Sequence, residues 1–327
     1  MPSSMKPTPG GKVFGYLPPF DADSGDVIVE PPGSGYGYWV GAPSALYDAE
    51  SGAFYLCYRR RWPLGGRRGG ECAIARSDDG VHFQEIWKAQ REQFGATSIE
   101  KSAIFRDPSG EWRLYVSSDI AEAYDRNPPT WRIDLLQADD PARFDPMTRR
   151  IVLDAPMFGF SHVKDPTVNV IGNEYFVYTS VGRLKQHQEP DEQGVIRPTG
   201  RGMIALHRSP DGIHFPSAEV IMEPNAIDSM NVRASSVLYV PPLWYLIYDG
   251  GPTRADSYDE FTRLAASFDP VHFRPVSGRE PWIRSAHASG SVRYVDAIQV
   301  DGVIHYYYEY ARADRAHELR HAAVALT

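Results

Sequence analysis

The chain has 327 residues, of which 42% are hydrophobic and 23% are charged, so it can bury a large core. Its net charge of −8 at pH 7 argues against a nucleic-acid partner, because binding to phosphates needs a basic face. It holds no apolar run of about 18 residues and begins without the apolar stretch of a secretory signal, so we expect a cytoplasmic protein with no membrane partner.

The composition favours strands and turns over helices. Gly (28), Pro (27) and Tyr (19) are abundant; glycine and proline interrupt helices, whereas aromatic residues suit pleated sheets. The only cysteines, Cys57 and Cys72, are too few for a disulfide framework or a zinc site. We expect them to be buried thiols on neighbouring strands.

The first predicted elements are five repeated units, each consisting of a strand, a tight turn and a second strand that ends near a tyrosine. In chain order they read APSALYDAESGAFYLCY from Ala42, EKSAIFRDPSGEWRLY from Glu100, DPTVNVIGNEYFVY from Asp165, RASSVLYVPPLWYLIY from Arg233 and DAIQVDGVIHYYYEY from Asp296. A repeat of this length is typical of propellers and solenoids.

A second repeat follows each of the first four units. It reads SDDGVHF at 77–83, ADDPARF at 138–144, SPDGIHF at 209–215 and SFDPVHF at 267–273. Each copy lies between two apolar strands, and Asp-Gly or Asp-Pro stands where a hairpin turn needs it. The turn is therefore predicted to be scaffolding, and its histidines at 82, 214 and 272 to pack or cap rather than to catalyse.

Together the two repeats predict an all-β protein, a five-bladed β-propeller with about four antiparallel strands per blade. We expect a single domain over residues 1–327. The blades are predicted at roughly 38–90, 97–153, 162–223, 230–277 and 290–327. The fifth is one strand short, and residues near VFGYLPP in the N-terminal segment are expected to supply that strand and close the ring.

Four longer polar segments fall between the second and third strands of their blades, at 61–70, 118–130, 182–202 and 249–259. Long loops are often functional, and loops on equivalent connections lie at one rim of a propeller. We expect this rim to carry any site.

The first strand of each blade lines the central channel, so the first residues of the five units should face one another. The residues at these positions are Ala42, Glu100, Asp165, Arg233 and Asp296, and all but Ala42 are ionisable. Lys101 and Lys164 stand beside them. Buried charges must be paired or solvated, so the ring is either a salt-bridged plug or a functional site.

The blade pattern, the stretch KDPTVNVIGNEYFVYTS at 164–180 and the S-x-D-G-x-x-F turn resemble the five-bladed propeller glycoside hydrolases of family 43 and relatives in families 32, 62, 117 and 130. In that group the first strands of blades one, two and three carry an Asp base, an Asp that modulates pKa values and a Glu acid. Here Ala42 stands where the blade-one Asp is expected. The resemblance therefore leaves Glu100 as candidate general acid, Asp165 as candidate base and Asp296 as a third carboxylate.

Several polar and aromatic residues near these carboxylates are expected to bind substrate. They are Trp39, Arg59, Lys101, Lys164, Arg233 and Asp249. Trp39 suits either a stacking platform for a sugar or the core. No cofactor is expected, although a structural calcium in the channel is compatible with the many oxygen ligands.

The leading functional prediction is a glycoside hydrolase-like enzyme that acts on a carbohydrate or a glycosylated small molecule by carboxylate acid/base catalysis. One alternative is a non-hydrolytic enzyme, an isomerase, lyase or cyclase, which the cationic residues at 59–61, 101, 164 and 233 favour. Another is a catalytically silent sugar-binding propeller. The sequence fixes neither the sugar nor the oligomeric state.

Overall fold

The computed structural model of the protein describes residues 16–120, 131–183, 202–252 and 259–326. These ranges contain 21 strands, β1 to β21, and three short 3-10 helices at Arg91–Phe94, Pro146–Thr148 and Ala155–Phe158. Within the same ranges no helix has the length and apolar character needed to cross a membrane.

After β1 (Asp26–Val29), the strands follow one another in antiparallel groups that match the predicted blades. Blade 1 contains β2 (Trp39–Asp48), β3 (Ala53–Arg61), β4 (Gly69–Ser77) and β5 (Gln84–Gln90). Blade 2 contains β6 (Ser98–Ile99), β7 (Ala103–Arg106), β8 (Trp112–Asp119), β9 (Trp131–Ala138) and β10 (Arg150–Asp154). Blade 3 contains β11 (Phe160–Ile171), β12 (Glu174–Arg183), β13 (Gly202–Ser209) and β14 (Ala218–Met222).

The remaining two blades follow the same plan. Blade 4 contains β15 (Asn231–Val240), β16 (Leu243–Gly251), β17 (Phe261–Ser267) and β18 (Arg274–Pro275). Blade 5 contains β19 (Val292–Val300), β20 (Val303–Ala311), β21 (His317–Ala325) and, as its outer strand, β1. In blade 2 the short strands β6 and β7 together take the innermost place, since both pair with β8.

The innermost strands touch in cyclic order: β2 with β7, β7 with β11, β11 with β15, β15 with β19, and β19 with β2. Five apolar clusters fill the junctions between neighbouring blades, the last of them between blades 5 and 1. The prediction of an all-β, five-bladed propeller is confirmed. This closure also protects the sheet edges that an open array would expose.

The ring is closed by β1, which pairs antiparallel with β21 so that Asp26 lies opposite His321. The outer strand was predicted near VFGYLPP, at residues 13–19, and the N-terminal segment supplies it through β1, a few residues further along the chain. Residues 13–15 lie outside the described residues, and the prolines at 18 and 19 cannot donate hydrogen bonds to a ladder. This segment packs instead: Leu17 is buried, and the Tyr306 hydroxyl donates to the Pro18 carbonyl oxygen at 2.8 Å.

The repeated turn is a capped hairpin between the third and fourth strands. At 77–83, Asp79 Oδ1 accepts the N–H groups of Val81 and His82 at 2.9 and 2.8 Å, and His82 Nδ1 lies 2.7 Å from Asp79 Oδ2. The same contacts recur around Asp211 and Asp269. The exposed histidines therefore cap the turn, and the phenylalanines provide its packing.

The two cysteines lie on the adjacent strands β3 and β4. Both are buried free thiols, with 3.6 Å between their sulfur atoms. Of the predicted rim loops, the β3–β4 connection is described, whereas residues 121–130, 184–201 and 253–258 of the other three lie outside the described residues.

Replacing Phe20 with alanine should weaken the packing of the N-terminal segment against blade 5. Its ring stacks on Tyr306 at a centroid distance of 4.6 Å and contacts Tyr308 and Trp282, so the Phe20→Ala variant should lose about 3–4 kcal/mol of unfolding free energy in urea denaturation. The matched control is Phe268→Ala, because the Phe268 side chain is 83% exposed and its loss should cost less than about 0.5 kcal/mol. Equal losses of unfolding free energy in the two variants would show that the contacts of Phe20 with Tyr306, Tyr308 and Trp282 do not stabilise the fold.

Candidate active site

Irregularities in the innermost strands define the channel wall. The pairing register shifts between Gly41 and Ser44, Lys164 and Thr167, Ala234 and Ser236, and Arg293 and Asp296. Within three of these bulges Ala42, Asp165 and Tyr294 adopt left-handed backbone angles, with φ of 51°, 56° and 52°. Such angles are uncommon for residues other than glycine, so these positions are structurally equivalent.

This equivalence corrects the alignment of blade 5. Tyr294, and not Asp296, occupies the place that corresponds to Ala42 and Asp165. Asp296 Oδ2 accepts the Ala45 N–H at 2.7 Å and its Oδ1 accepts the Ala297 N–H at 3.1 Å. Burial raises the pKa of Asp296, against the opposing effect of Lys101. Asp296 therefore joins blade 5 to blade 1, and the structure gives it no place as a third catalytic carboxylate.

Lys101 also has a structural role. Its ammonium group is buried and donates to the Pro166 carbonyl oxygen at 2.8 Å and to Thr167 Oγ1 at 3.1 Å. These contacts tie blade 2 to blade 3, because Lys101 precedes β7 and Thr167 belongs to β11. The expectation that Lys101 binds substrate is therefore not supported by its position.

A chain of alternating charges runs through the channel. Its members are, in spatial order, Glu100, Arg59, Glu309, Arg293, Glu260, Arg233 and Asp249, and all are buried. Arg59 contacts Glu100 through Nη1, and its Nη2 lies 3.6 Å from Glu309 Oε2. We call this set the ion chain.

The remaining links of the ion chain are shorter. Arg293 donates to Glu309 at 2.7 Å and to Glu260 at 2.8 Å. Arg233 continues the chain with contacts of 3.1 Å to Glu260 and 2.8 Å to Asp249. Of the two interpretations that the sequence left open, the salt-bridged plug thus describes this part of the channel.

The ion chain accounts for two residues that were expected to bind substrate. Arg233 is engaged by two carboxylates of blade 4. Asp249 accepts hydrogen bonds from Arg233, from Ser235 Oγ at 3.0 Å and from the Tyr294 N–H at 2.9 Å. Both side chains therefore stabilise the channel wall, and neither is placed to bind a sugar.

Trp39 is part of the core rather than a stacking platform. The guanidinium carbons of Arg61 and Arg293 lie 4.5 and 4.6 Å from its ring, and His317 stacks on it at 4.8 Å. With its surface covered in this way, the indole offers no face to a sugar ring.

Glu100 is held as an anion. Burial favours the neutral carboxyl group, but the charges of Arg59, Arg61 and Lys164 outweigh burial and hold the pKa of Glu100 below its usual range. This arrangement does not favour the predicted role of Glu100 as a general acid, because a group that stays ionised at neutral pH has no proton to donate. Arg59, expected to bind substrate, binds Glu100 instead.

Asp165 retains one carboxylate oxygen for further bonding. Its side chain is fully buried, and Oδ1 accepts the Lys101 backbone N–H at 3.2 Å. Within the described parts of the chain Oδ2 has no hydrogen-bond donor, and the Lys164 ammonium lies 3.5 Å away. Buried oxygens normally have a donor, so Oδ2 is an acceptor suited to a hydroxyl group of a ligand.

Lys164 is the most accessible of the predicted binding residues. Its side chain is 23% exposed, and its ammonium lies 5.1 Å from the centre of the Trp131 ring. Its pairing with Ser180 places it at the end of the channel where β12 leaves the sheet for the connection to β13. It alone among the expected lysines can reach a ligand in the solvent.

Tyr294 is a site residue that sequence reasoning missed. The guanidinium carbons of Arg233 and Arg59 lie 3.8 and 5.3 Å from its ring. Burial, with the charges of Asp165 and Glu100, raises the pKa of Tyr294 against the effect of the arginines, so the phenol is protonated at neutral pH. Among the described residues no partner bonds to its hydroxyl group, which leaves that group as a donor.

The carboxylates of Glu260 and Glu309 were also missed. Glu309 was detectable, because it is an acidic residue within the otherwise aromatic and apolar strand VIHYYYEYA. Glu260 gave no such signal, because it precedes β17 in a polar segment. Of the described ranges, none brings together three or more His, Cys, Asp or Glu side chains in a way that could hold a metal ion.

The chain was compared with known proteins. No protein-family model matches it, and no curated protein is similar to it in sequence. Solved structures do share its fold. A glycoside hydrolase superposes with a TM-score of 0.69 at 12% identity, covering 93% of this chain and 92% of the other.

Two further structures are similar over almost their whole length. A GH43_1 enzyme from Xanthomonas citri complexed with xylotriose has a TM-score of 0.62 and 13% identity, covering 91% of both chains. A β-1,2-mannobiose phosphorylase from Listeria innocua has a TM-score of 0.58 and 14% identity, covering 91% of this chain and 93% of the other. At these identities the likeness establishes the fold.

Removing the charge of Glu309 should destabilise the protein strongly. Glu309 faces Arg59 and Arg293 and accepts a hydrogen bond from His317 at 2.8 Å, so Glu309→Gln leaves buried cations without their counter-ion. We expect a loss of about 3–5 kcal/mol of unfolding free energy in urea denaturation. The matched control, Glu85→Gln, removes a partly exposed partner of Arg60 and should cost less than about 1 kcal/mol.

The pH dependence of this loss provides a second check. The cations lower the pKa of Glu309 from its ordinary value of 4.5, so the charge stabilises the fold above pH 4.5 and this contribution declines as the pH falls towards the folded-state pKa. The difference in unfolding free energy between wild type and Glu309→Gln should therefore shrink below pH 4.5. A difference that is constant with pH would show that the carboxylate charge is not its source.

Proposed function

We propose that the protein is a carbohydrate-active enzyme that cleaves a glycosidic bond of a carbohydrate or a glycosylated small molecule in its central channel. The observation that carries this proposal is the pair of unlike carboxylates on the inner segments of adjacent blades: Glu100, between β6 and β7, is held ionised by arginines, whereas Asp165 of β11 keeps an oxygen without a donor. The full-length likeness to a glycoside hydrolase and to a mannobiose phosphorylase supports the same class of reaction.

Cleavage of a glycosidic bond proceeds through a transition state with positive charge on the sugar ring. Glu100, as a permanent anion, would stabilise that charge rather than exchange a proton. Asp165 would accept the proton of the attacking water through Oδ2, in agreement with the role that the resemblance implied for it. These assignments use each carboxylate in the state that its surroundings favour.

The oxygen of the departing group also needs a donor. The Tyr294 hydroxyl is a protonated donor, and it lies close enough to both carboxylates for the charges of Glu100 and Asp165 to raise its pKa. Its ring is fixed between arginines, so its position requires little reorganisation during reaction. We therefore assign it the hydrogen bond to the departing oxygen. That oxygen then takes a proton from the solvent, and Asp165 returns the proton of the attacking water to the solvent.

A second candidate function is a non-hydrolytic enzyme that acts on the same class of substrate. The lowered pKa of Glu100 and the alanine at position 42 favour it, since an ionised Glu100 has no proton to donate and Ala42 cannot serve as the blade-one base of an ordinary glycoside hydrolase. In this case the products would be isomers, elimination products or cyclised products rather than a free sugar. Product analysis distinguishes the two candidates.

The test is a product-resolved assay with aryl furanosides, aryl pyranosides and short oligosaccharides. Asp165→Asn should lower kcat/KM by about 100-fold or more, because the base is lost, and Tyr294→Phe by about tenfold or more, because one hydrogen bond to the transition state is lost. Asp301→Asn, in the exposed turn between β19 and β20, is the matched control and should retain full activity.

Circular dichroism melting would establish that the variants are folded. Release of free sugar by the wild type and its loss in Asp165→Asn would support glycosidic cleavage. Conversion of substrate without release of sugar would favour the second candidate. Wild-type activity in both the Asp165→Asn and Tyr294→Phe variants would overturn the proposed site.

A further inference from the structure

Ser117 contacts the backbone of both proposed catalytic carboxylates. It lies on β8 of blade 2 and is fully buried. Its carbonyl oxygen accepts the Glu100 N–H at 3.0 Å, and its Oγ accepts the Asp165 N–H at 3.2 Å. The first of these bonds lies within blade 2, whereas the second crosses to blade 3. Ser117 therefore links the two segments that carry Glu100 and Asp165.

The backbone of Asp165 needs support to keep its conformation. Its φ of 56° lies in the left-handed region, which is unfavourable for a residue with a Cβ atom, and Pro166 favours an extended conformation of the residue before it. Such a conformation persists only where its neighbours hold it. The Ser117 hydroxyl binds the N–H group of this residue, and the Lys101 N–H binds its Oδ1 at 3.2 Å. Blade 2 thus fixes the main chain and one carboxylate oxygen of Asp165, which determines where Oδ2 lies.

Tyr294, the other proposed site residue with a left-handed backbone, is held in the same way. Its N–H donates at 2.9 Å to Asp249 Oδ2, on the second strand of the preceding blade. Blade 4 thus holds Tyr294 as blade 2 holds Asp165. The acceptor at Asp165 is a neutral hydroxyl, whereas a carboxylate in its place would put a like charge beside the Asp165 carboxylate. A serine suits this position because it accepts the hydrogen bond and adds no charge.

We propose that Ser117 is a positioning residue, whose hydroxyl holds the Asp165 main chain in the left-handed conformation that places Oδ2 for the reaction. This inference rests on the proposed function, because Asp165 is the base in that reaction. It adds a buried residue of the neighbouring blade that acts through Asp165 and does not touch the substrate.

The test compares Ser117→Ala with Ser44→Ala. Ser44 is the matched control, because its buried Oγ also accepts an N–H group of the next blade, that of Ile104, at 3.2 Å. In crystal structures, Ser117→Ala should shift Asp165 Oδ2 by more than about 0.5 Å, the tolerance of a catalytic group, whereas Ser44→Ala should leave it in place. The two variants should lose similar thermal stability, since each loses one buried hydrogen bond.

Kinetics provide the second readout. With a substrate that the wild type cleaves, the kcat of Ser117→Ala should fall about 10- to 100-fold, because a misplacement of about 1 Å costs up to about 100-fold in rate. Its KM should stay within about twofold of the wild-type value, because no contact with the substrate is removed. Ser44→Ala should retain the wild-type kcat. The crystal structures require no turnover, so a failure of the proposed glycosidic cleavage and a failure of this inference are separate results.

Two results would overturn the inference. The first is an Asp165 Oδ2 that stays within about 0.5 Å of its wild-type position in the Ser117→Ala structure. The second is an equal fall of kcat in Ser117→Ala and Ser44→Ala, which would show that the loss of any hydrogen bond between blades has the same effect on activity.

Discussion

The contact of Arg59 with two carboxylates from different blades is the interaction on which the channel depends. Arg59 lies on β3 of blade 1, and its guanidinium group meets Glu100 of blade 2 on one side and Glu309 of blade 5 on the other. Glu309 in turn begins the series of pairs that leads through Arg293 to blade 4. Breaking a buried pair costs about 3–5 kcal/mol, so the relative placement of these blades and the charge state of the channel are linked.

The ion chain also determines which groups remain for chemistry. It pairs Arg233 with Asp249 and keeps the Glu100 carboxyl group ionised. The Glu309 side chain also packs closely against the backbone of blade 1 next to Ala42, because a Cβ atom on Gly41 would lie 2.6 Å from Glu309 Oε2. The wall beside Ala42 is thus filled by Glu309. Among the described residues, Asp165 Oδ2 and the Tyr294 hydroxyl still have hydrogen-bonding capacity, and Lys164 lies at the end of the channel.

The sequence predicted the blades because their repeats are local. The turn at 77–83 recurs because the same Asp must cap the same backbone N–H groups each time. The position of Glu100 and Asp165 on the inner segments of adjacent blades followed from the same period. Tyr294 was not found because the alignment matched tyrosines of the second strands and took no account of the bulge in β19, which shifts the channel position by two residues.

The electrostatics could not be predicted because the partners are distant in sequence. The pKa of Glu100 was expected to rise through burial, and burial does act in that direction. Arg59 and Arg61, about 40 residues away, reverse the outcome once blade 1 and blade 2 pack together. The exact residues of the outer strand of blade 5 were not predicted for a related reason, since β1 and its partner β21 are distant in sequence.

The state of Glu100 tests this account most directly. With glutamate labelled at the side-chain carboxyl carbon, the Glu100 resonance can be assigned as the one missing from Glu100→Gln and followed by NMR between about pH 7 and pH 4, a range that spans the ordinary glutamate pKa. The account predicts no titration of Glu100 in this range, because the cations hold it ionised. A midpoint at or above its ordinary value of 4.5 would contradict it and would restore Glu100 as a proton donor.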